Sequence, residues 1–204
     1  MVHRRLALSA TAAALLLPLA ACDKAPLGGG SPAFKAIDIT GADYAQGFDL
    51  PDAATGQRRR LADFAGKVVV VFFGFTHCPD VCPTTLLELA AAKKQLGADG
   101  ERVQGVFITV DPERDTPELL KAYVENFGAG FVAVRGTPEE TAALAKSFKV
   151  FYAKSPGKSA DTYSVDHTAA SFVFDTKGKV RLYTRYGSGS EALVHDLRLL
   201  LAQG

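Results

Sequence analysis

An α/β domain with helices on both faces of a central sheet is the fold class this sequence predicts, on three observations. The runs "KVVVVFFGF", "VQGVFITVD" and "FVAV" are almost continuously apolar, as strands buried on both faces must be. Helix-start signals stand between these runs, so strands and helices alternate along the chain. The third observation is size: 204 residues suit one domain, or one domain plus a targeting segment, with a sizeable core.

Taken in order, "FDLPDAATGQRRRLADF" reads as a hairpin turning near Gly56, ahead of the first buried strand. A helix is expected from about Pro79 to Leu96, with Cys82, Leu86, Leu89 and Leu96 on one stripe and Gly97 as its stop. After "VQGVFITVD", Thr116 offers a capping hydroxyl and Pro117 fits the first helical position. Following "FVAV", Thr137 and Glu140 form a capping box for a helix running to about Phe148. "SFVFD", the turn "TKGK" and "VRLYTRY" make a second hairpin, and Ser188 with Glu191 is expected to cap the last helix, "ALVHDLRLLL". The order is β-β-α-β-α-β-α-β-β-α. A formal charge of +1 gives no field strong enough to argue for nucleic acid. The 19 glycines and 10 prolines are scattered rather than periodic, which excludes a fibrous chain.

Residues 1–21 have the form of a secretory signal peptide, with Arg4 and Arg5 ahead of an apolar stretch that ends in "LAAC". That ending resembles the bacterial lipobox and implies cleavage before Cys22 and a lipid on its sulfur. The domain would then be anchored to the membrane on the periplasmic side of the inner (cytoplasmic) membrane. Residues 22–33, the lipidated cysteine and "DKAPLGGGS", read as a flexible tether, and the folded domain is expected over 34–204. Lipidation of Cys22 resolves the odd count of three cysteines, leaving Cys78 and Cys82 in a compartment where disulfides persist.

Those two cysteines lie in "HCPDVCP", at the junction of a strand and a helix. At i and i+4 on one helix, their Cα atoms stand roughly 6 Å apart, within reach of a disulfide or of one metal ion. The free N–H groups and the dipole of a helix start favour a thiolate at Cys78, so this sulfur is expected to have a lowered pKa, with Cys82 less exposed. A disulfide closing so short a loop is a poor structural staple. A redox pair needs only the two sulfurs, whereas a metal site needs a third group. Among the histidines, His3 leaves with the signal, His195 sits in the last helix and His77 adjoins Cys78 in the chain. His167, in "YSVDHTAASFVFD" just ahead of a core strand, is the remaining candidate. Two thiolates and one imidazole would suit copper in either oxidation state. A structural zinc site wants four protein ligands and is the weaker fit.

"GFTHCPDVCPTTL", "DPERDTPE" and "YSVDHTAASFVFDTKG", in this order and at these separations, resemble the Sco (SenC/PrrC) copper proteins over about residues 40–202. The resemblance implies a thioredoxin-like fold, a central mixed β-sheet with helices on both faces and an N-terminal β-hairpin. It also implies a membrane-tethered copper chaperone that delivers to the binuclear copper site of cytochrome c oxidase subunit II, one copper per chain, with Cys78, Cys82 and His167 as ligands. Other periplasmic copper carriers or thiol reductants would be further partners. Asp166 and Asp80 lie close enough in sequence to support the ligands. "DPERDTPE" itself offers no chemistry beyond a charged loop and a helix cap, and "KSPGKSADTY" reads as a loop near His167. Relative to ordinary thioredoxins the cysteines have a three-residue spacer, and no proline follows Pro156. This favours metal handling over broad disulfide exchange. The competing activity is a thiol-disulfide oxidoreductase that keeps the acceptor's cysteines reduced, with Cys78 attacking and Cys82 resolving. A thiol peroxidase draws only on the generic fold and a reactive cysteine.

Overall fold

The computed structural model of this chain describes residues 33–128, 130–157 and 162–204. The expected signal peptide, Cys22 and the tether as far as Pro32 lie outside the described residues, as do 158–161 of the expected "KSPGKSADTY" loop. Among the described residues no helix is long and apolar enough to cross a membrane.

The described elements are β1 (Ile37–Asp38), β2 (Asp49–Pro51), β3 (Arg58–Arg60), β4 (Val68–Gly74), α1 (Val81–Gln95), β5 (Val103–Thr109), α2 (Pro117–Glu125) and β6 (Phe131–Val134). They are followed by α3 (Pro138–Ser147), β7 (Tyr152–Ser155), β8 (Ser164–His167), β9 (Ala170–Phe174), β10 (Val180–Arg185) and α4 (Ser190–Ala202). Six strands form a mixed sheet in the order β1-β10-β9-β4-β5-β6. β4 pairs in parallel with β5, and β5 with β6, while β9 runs antiparallel to β4. β2 with β3, and β7 with β8, form separate two-stranded sheets.

β4 is buried at every position because both of its faces are covered. Val68 and Val70 pack with Leu89 and Ala92 of α1 and with Leu193 and Leu197 of α4. Val69, Val71 and Phe73 face the other cluster, with Leu120 and Val124 of α2 and Ala145 of α3. Alternation along one strand thus feeds two cores, and the expected arrangement of helices on both faces of a mixed sheet is present.

The local signals act where they stand. Thr116 Oγ1 accepts from the Leu119 amide, and Thr137 with Glu140 forms the capping box. Gly97, at φ 60, ends α1 in the left-handed region that favours glycine. Two boundaries differ from expectation. Helix α1 begins at Val81 rather than Pro79, with Asp80 at the cap position. Ser188 does not cap α4: Gly189 occupies that position at φ 78, and the Ser188 hydroxyl donates to the Arg185 carbonyl. β1, β7 and β8 were not expected. β1 spans two exposed residues, and β7 and β8 form a partly buried ribbon that lacks an apolar alternation.

Candidate metal centre

β4 ends at Gly74 beneath the site, and the chain then turns through Phe75, Thr76 and His77 to Cys78. The turn closes with the Cys78 amide donating to the Phe75 carbonyl at 3.2 Å. Because α1 starts at Val81, Cys78 is not on the helix, and the expectation of two sulfurs on one helical face is corrected. Cys78 instead precedes the helix, where its sulfur accepts the free amide of Cys82 at 3.4 Å. Cys82, in the first turn of α1, is fully buried, while Cys78 is partly open to solvent. Gly74 makes room for the buried sulfur: a Cβ there would lie 2.8 Å from Cys82 Sγ and from a Phe107 ring carbon.

His167 closes the group from the end of β8, 85 residues along the chain from Cys82. Its Nε2 lies 3.5 Å from Cys82 Sγ, and the ligand atoms of Cys78, Cys82 and His167 all fall within 4.8 Å of one another. Phe72 and Phe75 meet the imidazole edge-on, with centroids at 5.8 and 5.9 Å, and fix its plane. Its Nδ1 lies 3.1 Å from the Thr168 carbonyl, which can only accept, so Nδ1 donates there and Nε2 is the ring nitrogen that faces the sulfurs.

The two thiols are driven apart electrostatically. Cys78 is held well below the usual thiol range, first by its hydrogen bond with Cys82, then by His167 and the amides of Cys82 and Asp80, against an opposing effect of burial. The same shared proton, with burial, pushes Cys82 up. The reduced pair therefore retains one proton near Cys82 and presents a thiolate at Cys78, the more accessible sulfur. The Tyr123 hydroxyl is buried without a hydrogen-bond partner, and burial, followed by the negative charge of the cysteine pair, raises its pKa.

The other expected residues stand apart from this group. His77 Nδ1 turns to Thr76 Oγ1 at 3.1 Å, and its side chain is half exposed. His195 pairs with Asp196 on α4 at 2.8 Å. Asp166 is exposed and accepts from the Ser155 hydroxyl, so the support behind the His167 ring is the Thr168 carbonyl. Asp80 accepts from Thr84 Oγ1 at 3.2 Å and offers Cys78 its amide rather than its carboxylate. "DPERDTPE" exceeds the charged loop expected of it, because Asp111 and Asp115 are 1% and 0% exposed and sit beside the site. Two carboxylates four apart, immediately after an all-buried strand, are the signal that marked them in the sequence.

Comparison with known proteins agrees with this geometry. The SCO1/SenC family model matches residues 38–202. The human mitochondrial SCO2 homolog is 40% identical over 149 residues, which cover 72% of this chain and 56% of that protein, so the match spans little more than half its length. The structure of Bradyrhizobium japonicum ScoI with copper bound shares 36% identity and covers 76% of this chain and 97% of that one, at a TM-score of 0.68. BsSco, a member of the Sco family of cytochrome c oxidase assembly proteins, shares the fold at 21% identity, covering 83% of this chain and all of that one, at a TM-score of 0.64. The thioredoxin-like fold, the ordered motifs and the matched span together place this chain in the SCO1/SenC family.

Proposed function

We propose that this chain is a copper-binding chaperone that takes one copper through Cys78, Cys82 and His167 and delivers it to the binuclear copper site of cytochrome c oxidase subunit II. The single observation that carries the reading is the convergence of two sulfurs and one imidazole nitrogen within 4.8 Å of one another. Thiolate is soft enough for Cu(I) and imidazole serves Cu(II), so this donor set fits the metal that a related solved structure contains. Three protein donors leave room for an incoming ligand. Cys78, the more open sulfur, is the point at which an acceptor's sulfur or imidazole would displace the chain's own ligand and move the metal by exchange. The lipid on Cys22 would hold this domain at the periplasmic face of the inner membrane, with the copper acceptor and other copper carriers in the same compartment.

Titration of the reduced protein with copper, read by optical and EPR spectra beside Cys78→Ser and His167→Ala, tests the reading. One tightly bound copper per chain is expected, with a sulfur-to-Cu(II) charge-transfer band that either substitution abolishes or alters. Weak binding indifferent to His167→Ala would refute it. The depressed pKa at Cys78 favours a second reading, a thiol-disulfide reductase that attacks the acceptor's disulfide through Cys78 and resolves through Cys82. In that role His167 is dispensable and thiol exchange persists without it.

A further inference from the structure

We propose that the 111–115 turn, from Asp111 to Asp115, is a clasp that sets the spacing between the sulfur pair and the imidazole, with Arg114 as the positioning residue for His167. The proposal rests on the copper reading above and concerns residues to which that reading gives no role.

The turn follows β5 and reaches in two directions. One arm holds the cysteine loop. The buried Asp115 carboxylate accepts from the Thr76 amide at 3.1 Å, from the Thr76 hydroxyl at 2.6 Å and from the Thr109 hydroxyl at 2.5 Å. Thr76 is two residues ahead of Cys78 and Thr109 closes β5, so one carboxylate ties the start of the cysteine loop to the central sheet.

The other arm holds the histidine ribbon. Arg114 Nη1 donates to the Tyr163 carbonyl at 2.7 Å, and its guanidinium lies over the Tyr163 ring at 3.6 Å. Arg114 Nε is fixed by Asp111 at 2.5 Å, and the second oxygen of Asp111 accepts the Tyr163 hydroxyl at 2.7 Å. Arg114 thus holds the carbonyl and ring of one tyrosine while donating to Asp111, which holds the hydroxyl, a fit that a planar fork can make and an ammonium cannot. Tyr163 immediately precedes β8, and β8 ends in His167.

This grip matters because β7 and β8 form a sheet of their own, outside the six-stranded one. The third ligand is joined to the main sheet at one end only, through β9 three residues on, so the main ladder leaves the rest of its ribbon, from Tyr152 to Ser164, to be held by other contacts. Isolated two-stranded ribbons are marginal in water. Lys154 on β7 adds a bridge to Glu113 of the same turn at 2.6 Å, but both partners are exposed and the pair contributes little. Arg114 also leaves its Nη2 buried without a partner, a desolvation cost accounted for by what the residue holds in place.

Arg114→Gln tests the clasp, with Arg114→Lys and Tyr163→Phe as companions in case the first folds poorly. In the metal-free protein, amide exchange of Tyr152 to Ser155 and Ser164 to His167 should quicken about tenfold or more in Arg114→Gln, while β4 and β5 amides stay as in the parent. Arg114→Lys should resemble Arg114→Gln. Tyr163→Phe, which keeps the ring and loses one hydrogen bond, should fall between. Copper affinity, measured by chelator competition, should drop about 10- to 100-fold in Arg114→Gln, with an altered Cu(II) spectrum, as is usual when support behind a metal ligand is lost. Unchanged ribbon exchange, or full recovery by lysine, overturns the proposal. So does equal copper affinity in variant and parent. If the parent binds no copper, the copper reading fails by itself, and the exchange comparison still decides whether the clasp orders the ribbon.

Discussion

Replacing Gly74 by alanine adds one methyl group at the point where β4, α1 and the buried sulfur meet. The new Cβ would stand 2.8 Å from Cys82 Sγ, 2.8 Å from Phe107 Cε2 and 2.9 Å from Phe72 Cε1, where ordinary contact begins near 3.4 Å. None of the three can retreat into solvent, since Cys82 and Phe107 are fully buried and Phe72 is 2% exposed. The backbone is not the obstacle, because Gly74 lies outside the left-handed region and the conflict is one of volume. Overpacking of this kind costs about 1 to 3 kcal/mol. For a chain of this size that lowers the unfolding midpoint by about 2 to 12 °C. The strain also falls on a sulfur of the site, so Gly74→Ala should weaken copper binding and shift its charge-transfer band. Thermal unfolding of the metal-free protein and copper titration measure the two effects separately. A midpoint within about 1 °C of the parent, together with an unchanged copper spectrum, would refute the packing argument. A lowered midpoint with an unchanged spectrum would place the strain on the two phenyl rings instead of the sulfur.

Three further outcomes are expected. Because the Cys78 pKa is lowered, its thiolate is already formed at neutral pH, and alkylation at Cys78 in the reduced, metal-free protein should stay nearly flat from about pH 6 to 9; an ordinary thiol, with a pKa of about 8.5, gains about tenfold per unit below that value. A steep rise through pH 8, followed by mass spectrometry at that residue, would contradict the hydrogen-bond assignment. Phe148 is fully buried, with ring centroids 5.1 Å from those of both Phe73 and Phe172, so Phe148→Ala should cost about 3 to 5 kcal/mol in denaturant unfolding. Asp196, 2% exposed, accepts the amides of Lys35 and Ala36 at 2.8 Å each; Asp196→Ala should cost about 1.5 to 3 kcal/mol and leave those two amides open to rapid exchange.

What the sequence shows of this molecule follows how locally each feature is encoded. The buried strands were legible because a strand covered on both faces has to be apolar at every position, as Val68 to Phe73 are. Thr116 and Thr137 announced their helices because a cap bonds within three residues of itself. Cys78, Cys82 and His167 were identifiable as a set by donor chemistry and by resemblance, although neither gave their distances. The ribbon of β7 and β8 escaped notice because pairs such as Tyr152 with His167, both half-buried, leave no alternation of apolar and polar residues. Arg114 escaped for a different reason. Its partner Tyr163 is 49 residues away, and nothing local tells a part-buried, doubly held arginine from a solvated one.

The topology also fixes when this site can exist. The sulfurs leave the end of β4, and the imidazole enters just ahead of β9, the antiparallel neighbour of β4. Cys82 and His167 are 85 positions apart in the chain, so the loop-closure entropy of joining them is met only when the late strand docks beside the early one. During synthesis, the first half of the domain can emerge with both thiols and still lack the nitrogen that completes the set. Docking of β9 beside β4 and assembly of the three donors therefore go together, and a chain stalled ahead of His167 brings the metal both sulfurs of the set without its imidazole.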